Sequence, residues 1–188
     1  MPRRTAPTTY DPLTRALTRP VVLAALRDHV QQAQGSGRTF CVCLVDVDQL
    51  KNVNDRHGLG TGDRVLAALA GRLRATLEQP GLPAMAHQLA RYDGDALLVL
   101  AAPCTLRQGE TLAEALRFHV AEAPLHEGVG VTVSIAVAQH RIGESVDELL
   151  ARTERALHAA KQFGRDRVEV SESAESHPKR APVRRLRE

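Results

Sequence analysis

The chain has 188 residues, 43% of them hydrophobic but only 3% aromatic, with no Trp and a formal net charge of +3. That length suits one domain with short tails, and the apolar share excludes a chain disordered throughout, leaving a core built mainly from Leu, Val and Ala. No apolar stretch is long enough to cross a bilayer and none follows Arg3 and Arg4 as a secretory leader requires, while Cys41, Cys43 and Cys104 form neither a disulfide framework nor a set at zinc-site spacing, so a cytoplasmic setting is expected.

Residues 1–10 are polar and contain Pro, and are expected to be a flexible lead. From about Pro20, Val22, Leu23, Leu26 and Val30 recur at helical spacing up to Gly35-Ser36-Gly37. Thr39 to Val45 is a continuous apolar run, which predicts a buried strand that ends in Asp46-Val47-Asp48. In it, Cys41 and Cys43 serve as small hydrophobes. A short helical piece follows, then the glycine-rich His57-Gly58-Leu59-Gly60-Thr61-Gly62.

Leu66, Leu69, Ala70, Leu73 and Leu77 mark a second long helix, with Thr61 or Asp63 as its expected cap. Past the break at Pro80–Pro83, strands at about 85–91 and 97–102 flank Asp93-Gly94-Asp95, and Asp-Gly between apolar runs signals a hairpin. Leu112, Leu116 and Val120 indicate a third helix, and Val129 to Ala138 a strand. Val146, Leu149, Leu150, Thr153 and Leu157 form the stripe of a last helix before a short strand at Val168–Val170. Helices interleaved with a hairpin predict an α+β fold, a mixed sheet with helices on its faces. Residues 171–188 carry five Lys or Arg against three Glu and are expected to be a basic, disordered tail. Nucleic acid is not expected as its partner.

Asp46 and Asp48 close an otherwise apolar strand, and Asp93 and Asp95 sit at a hairpin tip. If the two places meet, like charges ~4 Å apart repel by about 4 kcal/mol at an effective dielectric of 20, which a bound hard cation relieves. Oxygen ligands favour Mg²⁺, whose remaining positions go to water and phosphates. Ordinary strand-end and turn chemistry accounts for the same residues without a metal. Asn54 and Asp63 suit a purine edge, since Asn donates and accepts while Asp accepts from guanine N–H groups, but they suit capping and turns as well. Lys161 and Arg165, around Gly164 as an expected C-cap, either complement the helix dipole or grip phosphates.

Asp46-Val47-Asp48-Gln49-Leu50-Lys51-Asn52-Val53-Asn54-Asp55 resembles the D-I/V-D-x-F-K-x-I/V-N-D run of the GGDEF family, the catalytic domain of diguanylate cyclases. His57 to Asp63 is similar to that family's G-H-x-x-G-D, Asp11-Pro12-Leu13-Thr14 to its opening D-P-L-T, Val131 to Ile135 to its V-T-x-S-I/V strand, and Ala156 to Arg165 to A-L-Y-x-A-K-x-x-G-R. These motifs run in family order from about residue 11 to 170. The resemblance implies a nucleotidyl-cyclase palm with a ferredoxin-like core. It implies Mg²⁺ on Asp46, the Val47 carbonyl and Asp95, guanine recognition by Asn54 and Asp63, and phosphates held or neutralised by Lys51, Lys161 and Arg165. It also implies a homodimer that joins two GTP molecules into cyclic di-GMP, with Asp95 and Lys51 in the chemistry.

The chain departs from this pattern in four places. Where the family reads G-G-D/E-E-F, it reads Asp93-Gly94-Asp95-Ala96-Leu97, so the third-position acid survives, the fourth is lost, and a charge replaces the first glycine. The G-L-x-N-R expected after D-P-L-T reads Arg15-Ala16-Leu17-Thr18-Arg19. The R-x-x-D product-inhibition motif, which belongs at Ala84 to His87, is missing. A sensory or dimerising segment ahead of the cyclase-like part is expected to be absent. The expectation is a degenerate GGDEF module of cyclic di-GMP signalling that binds a guanine nucleotide or a signalling protein. The alternative is an active cyclase in which Asp93 or Asp48 covers for the missing Glu.

Overall fold

A computed structural model describes residues 8–80, 82 and 85–171, which run β1 (Leu17–Thr18), α1 (Arg19–Ser36), β2 (Cys41–Val47), α2 (Leu50–His57), α3 (Leu59–Leu77), β3 (Ala86–Asp93), β4 (Ala96–Ala102), α4 (Leu106–Ala121), β5 (Val133–Gln139), α5 (Val146–Gln162) and β6 (Val168–Val170). The six strands form one sheet in the order β1-β3-β4-β2-β5-β6. The outermost pairs are parallel and the three inner ones antiparallel, giving the mixed sheet expected of an α+β chain.

All seven residues of β2 are buried, which explains why its sequence is a continuous apolar run instead of an alternating one. Successive side chains feed opposite layers. Cys41, Cys43 and Val45, with Val99 and Ile135 beside them, pack against Val65, Leu69 and Leu73 of α3 and Leu112 and Leu116 of α4. Val42 and Leu44, with Leu98 and Ala136, pack against Val22 and Leu26 of α1 and Leu149 and Leu157 of α5. The three cysteines are buried and unbonded to one another. Gly109 sets the height of α4, because a Cβ there would lie 3.0 Å from both Cys41 Sγ and Val137 Cγ1.

Several boundaries differ from those expected. The two-residue β1 carries no periodicity, yet it pairs Leu17 with Ala90 and Thr18 with Arg91, and Thr8 and Thr9 lend carbonyls to Thr18, so the lead is tied down from Thr8 onward. β2 starts two residues after Thr39 and continues through Asp46 to Val47, because β4 and β5 pair with it that far. β5 starts at Val133 and not at Val129, since Leu125 and Val129 close a tight turn in which Gly128 has φ 79°.

The glycine-rich stretch is helical from Leu59 onward. Gly58 is the N-cap of α3, so neither Thr61 nor Asp63 caps it, and Thr61 Oγ1 instead donates to the His57 carbonyl. α5 is capped at its C-terminus by Phe163, with Gly164 just beyond at φ 117°. The tail from residue 172, residues 1–7 and Ala84 of the inhibition-motif position lie outside the described residues.

Candidate functional site

The C-terminal end of β2 brings Asp46 against α5. Lys161, in the last turn of that helix, places its Nζ 2.7 Å from Asp46 Oδ1, and the Asp46 side chain is only 9% exposed. Burial pushes the Asp46 carboxyl above the usual carboxylate range; the Lys161 ammonium opposes this, and the charges of Asp95 and then Asp48 add to it. The two ends expected to meet do meet: β2 and β4 pair as far as Asp46 and Ala96, the residue next to Asp95 of the hairpin tip. Lys161, expected to grip phosphates or answer the helix dipole, is here the ion-pair partner of Asp46.

The register gives the hairpin its meaning. Asp46 pairs with Ala96 across β2 and β4, and Asp93 pairs with the same Ala96 across β3 and β4. Directly opposed residues share a face, so Asp93, Ala96 and Asp46 form a row on the α5 side, with Ser134 of β5 continuing it. Ala96 is buried at its centre. A Glu at 96 would stand beside Asp46, whereas Asp93 is two strand spacings from Asp46, roughly 10 Å. The loop itself is two residues, Gly94 and Asp95, with Gly94 at φ 49° as a tight hairpin requires. Arg91 braces it: Nε donates to the Gly94 carbonyl, and Nη1 lies 3.2 Å from the Asp11 carboxylate, whose Oδ1 also accepts from Thr14 N–H and Oγ1.

Asp48 is occupied elsewhere. Its carboxylate accepts from Thr132 Oγ1 at 2.7 Å, Ser134 Oγ at 2.6 Å and the Asp166 amide at 3.0 Å, so it fastens β2 to β5 and to the turn before β6. These three directed bonds in a buried position give Asp48 a fastening role that the sequence did not suggest.

The α2–α3 elbow carries the next group. Asn54 Oδ1 is buried and has no hydrogen-bond partner. It lies against Gly62 so closely that a Cβ on residue 62 would sit 1.8 Å from it. Asp63 follows, exposed on the first turns of α3. Lys51 at the start of α2 and Arg165 after α5 are exposed and make no ion pair among the described residues, and Arg165 holds φ 64° while its amide donates to Ala160. The structure thus gathers Asp46, Asp95 and Lys161 at one point and joins Asn54 to Gly62 beside Asp63 at another, with Lys51 and Arg165 at the periphery. Sequence reasoning missed the brace Arg91 and the fastening role of Asp48. Asp11 stood within a quoted motif, but its partner Arg91 is 80 residues away and no spacing links the two.

No group of three or more His, Cys, Asp or Glu side chains among the described residues is placed to hold a metal ion. Mg²⁺ asks for fewer protein ligands than that, since it takes one or two carboxylates and completes its octahedron with water and phosphate.

A family model described as the diguanylate cyclase GGDEF domain matches residues 8–167. The chain belongs to the GGDEF domain family. It is 33% identical over 164 residues to the diguanylate cyclase DgcP of Pseudomonas aeruginosa, covering 86% of this chain and 24% of DgcP. It is also 33% identical over 159 residues to DgcM of Escherichia coli, covering 85% of this chain and 37% of DgcM. The GGDEF domain here therefore spans well under half the length of these relatives. Among solved structures it superposes on the GGDEF domain of DgcB from Caulobacter crescentus in complex with c-di-GMP, with a TM-score of 0.78 at 29% identity over 92% of this chain and 97% of that one. The diguanylate cyclase SiaD of Pseudomonas aeruginosa, in complex with its activator SiaC, gives 0.79 at 31% identity over 87% and 62%.

Proposed function

We propose that this GGDEF domain is a guanine-nucleotide-binding regulatory module of cyclic di-GMP signalling whose cyclase chemistry is impaired. One observation carries the reading: Ala96, and not an acid, is the cross-strand partner of Asp46. The carboxylate row at the strand end is one member short, while the Asn54–Gly62–Asp63 elbow that would read guanine is complete. In this reading Asn54 and Asp63 take the base and Lys51, Lys161 and Arg165 take the phosphates. Asp46, the Val47 carbonyl and Asp95 would hold Mg²⁺, which when bound neutralises the triphosphate and polarises its oxygens.

Lys161 has a double duty. Its ammonium holds the Asp46 carboxylate, and it would be available to a phosphate once Asp46 has another cation. The lost acid weakens charge handling in the transition state more than ground-state binding. A deficit of about 3 kcal/mol is roughly a 150-fold loss in rate. Its protein partner would be a second copy of the chain or another signalling protein; the complex of the related SiaD with an activator gives the latter a precedent. No helix among the described residues is long and apolar enough to cross a membrane.

Calorimetric titration with a non-hydrolysable GTP analogue and Mg²⁺, run beside chromatography of a long incubation with GTP, tests the reading. Binding without cyclic di-GMP is expected. An absence of heat at millimolar ligand would remove the nucleotide and leave the protein-partner role. The active-cyclase alternative rests on Asp93 lying in the same row as Asp46, and abundant product at high protein concentration would establish it instead.

A further inference from the structure

Between the turn that leads into β1, the C-terminal part of α3 and the start of β3 lies a cavity of about 380 Å³. That volume falls in the range of small-molecule sites. Its lining includes Arg15, Arg74 and His87, with Leu77 and Leu89 as apolar wall and Glu78 as the one carboxylate.

Three features of these residues are unexplained by the fold. Arg15 holds φ 58°, a left-handed conformation that glycine adopts freely and that works against any residue with a Cβ; it stands where the family motif has glycine. Neither Arg15 nor Arg74 makes an ion pair among the described residues, and the hydrogen bond recorded for the Arg74 guanidinium is to the Thr14 carbonyl at 3.3 Å. His87 Nε2 is shut off from solvent without a hydrogen-bond partner.

We propose that this cavity is a second ligand site, separate from the nucleotide elbow, for a small organic phosphate: the phosphoryl group lies between the Arg15 and Arg74 guanidinium groups and the apolar part against Leu77 and Leu89. Two guanidinium groups against one carboxylate favour an anion, and the planar forks match phosphate oxygens.

The test is long-range ¹H–¹⁵N NMR of the histidine rings of the whole chain, with inorganic pyrophosphate added in Mg²⁺-free buffer and the His87 signals assigned from a His87→Gln variant. The His87 signals are expected to shift saturably, with a dissociation constant in the millimolar range. Arg15→Gly, which relieves the backbone, is expected to fold at least as well as the parent. Together with Arg74→Ala it should weaken the response at least tenfold, whereas Asn54→Ala, at the other site, should leave it unchanged. Unmoved His87 signals at tens of millimolar pyrophosphate would overturn the proposal. So would a response that survives the double variant or disappears in Asn54→Ala.

Discussion

At the residue scale, Asp46 and Asp48 are two positions apart and have opposite jobs. The Asp46 charge is buried against a single lysine, whereas Asp48 receives three hydrogen bonds from two segments. Asp48→Ala would orphan two hydroxyls and an amide, so a loss of about 2–4 kcal/mol is expected, read as a lowered urea midpoint; an unchanged midpoint would remove its fastening role. Gly62 invites the converse change. Glycine inside a helix ordinarily costs up to about 1 kcal/mol relative to alanine, so Gly62→Ala should leave thermal stability level or slightly higher. Its Cβ would nevertheless fall on Asn54 Oδ1, and the Asn side chain must swing out of place. The expected signature is at least tenfold weaker binding of the GTP analogue at undiminished Tm, by calorimetry and thermal melts. Binding at parental strength would show that Asn54 does not read the base. The candidate site residues could be named from the sequence because each stands in a contiguous motif. Their division of labour was not, since it depends on which face of the sheet each strand residue takes.

At the scale of elements, the end of α5 nearest its N-terminus is pinned by a buried ion pair. Arg152 Nε lies 2.5 Å from Glu144 Oε1, both side chains are under a tenth exposed, and the same guanidinium donates to the carbonyls of Gln139 and Ser171. Arg152 thereby ties the loop before α5 to the ends of β5 and β6. Burial alone would raise the Glu144 pKa, but the Arg152 side chain and the Arg141 amide override it and hold the carboxyl below its ordinary 4.5. A depressed carboxylate contributes stability that is present above the unfolded-state value and lost as pH falls through the lower folded one. Arg152→Met should therefore cost about 3–5 kcal/mol at neutral pH, and its stability should fall less steeply than the parent's below pH 4.5. Parallel denaturation curves from pH 7 down to acid would refute the clamp. The helices and inner strands were readable because periodicity and apolar runs report burial. Arg152 was not, since a lone arginine within an amphipathic stripe looks solvated until its partner 8 residues earlier folds back upon it. β1 escaped for a related reason: two residues pair without any period, on a register set by Arg91 and Asp11.

At the scale of the whole molecule, one chain carries one Asn54–Asp63 elbow and one Asp46–Asp95 end, whereas the family's product joins two nucleotides. Any residual synthesis thus needs two chains with their elbows facing, and its rate should rise with the square of protein concentration until the dimer saturates. Under the proposed impairment, this separates a damaged loop from a scarce dimer. Ala96→Glu restores an acid beside Asp46 on the α5 face, and Asp93→Gly removes the charge at the other end of the same row. Ala96 is buried, but Lys161 lies at the adjacent strand end and offers the new carboxylate a counter-charge. In a fusion to a parallel coiled coil, the double variant is expected to make cyclic di-GMP at least a hundredfold faster than the parent loop in the same fusion, since about 3 kcal/mol of restored stabilisation corresponds to roughly 150-fold. Without the coiled coil, the double variant should show the squared dependence on concentration. Parent loop and repaired loop making equal product in the fusion would place the defect in assembly. A dimerised double variant that binds the GTP analogue yet stays silent would mean that the row of Asp93, Ala96 and Asp46 is not where the chemistry was lost.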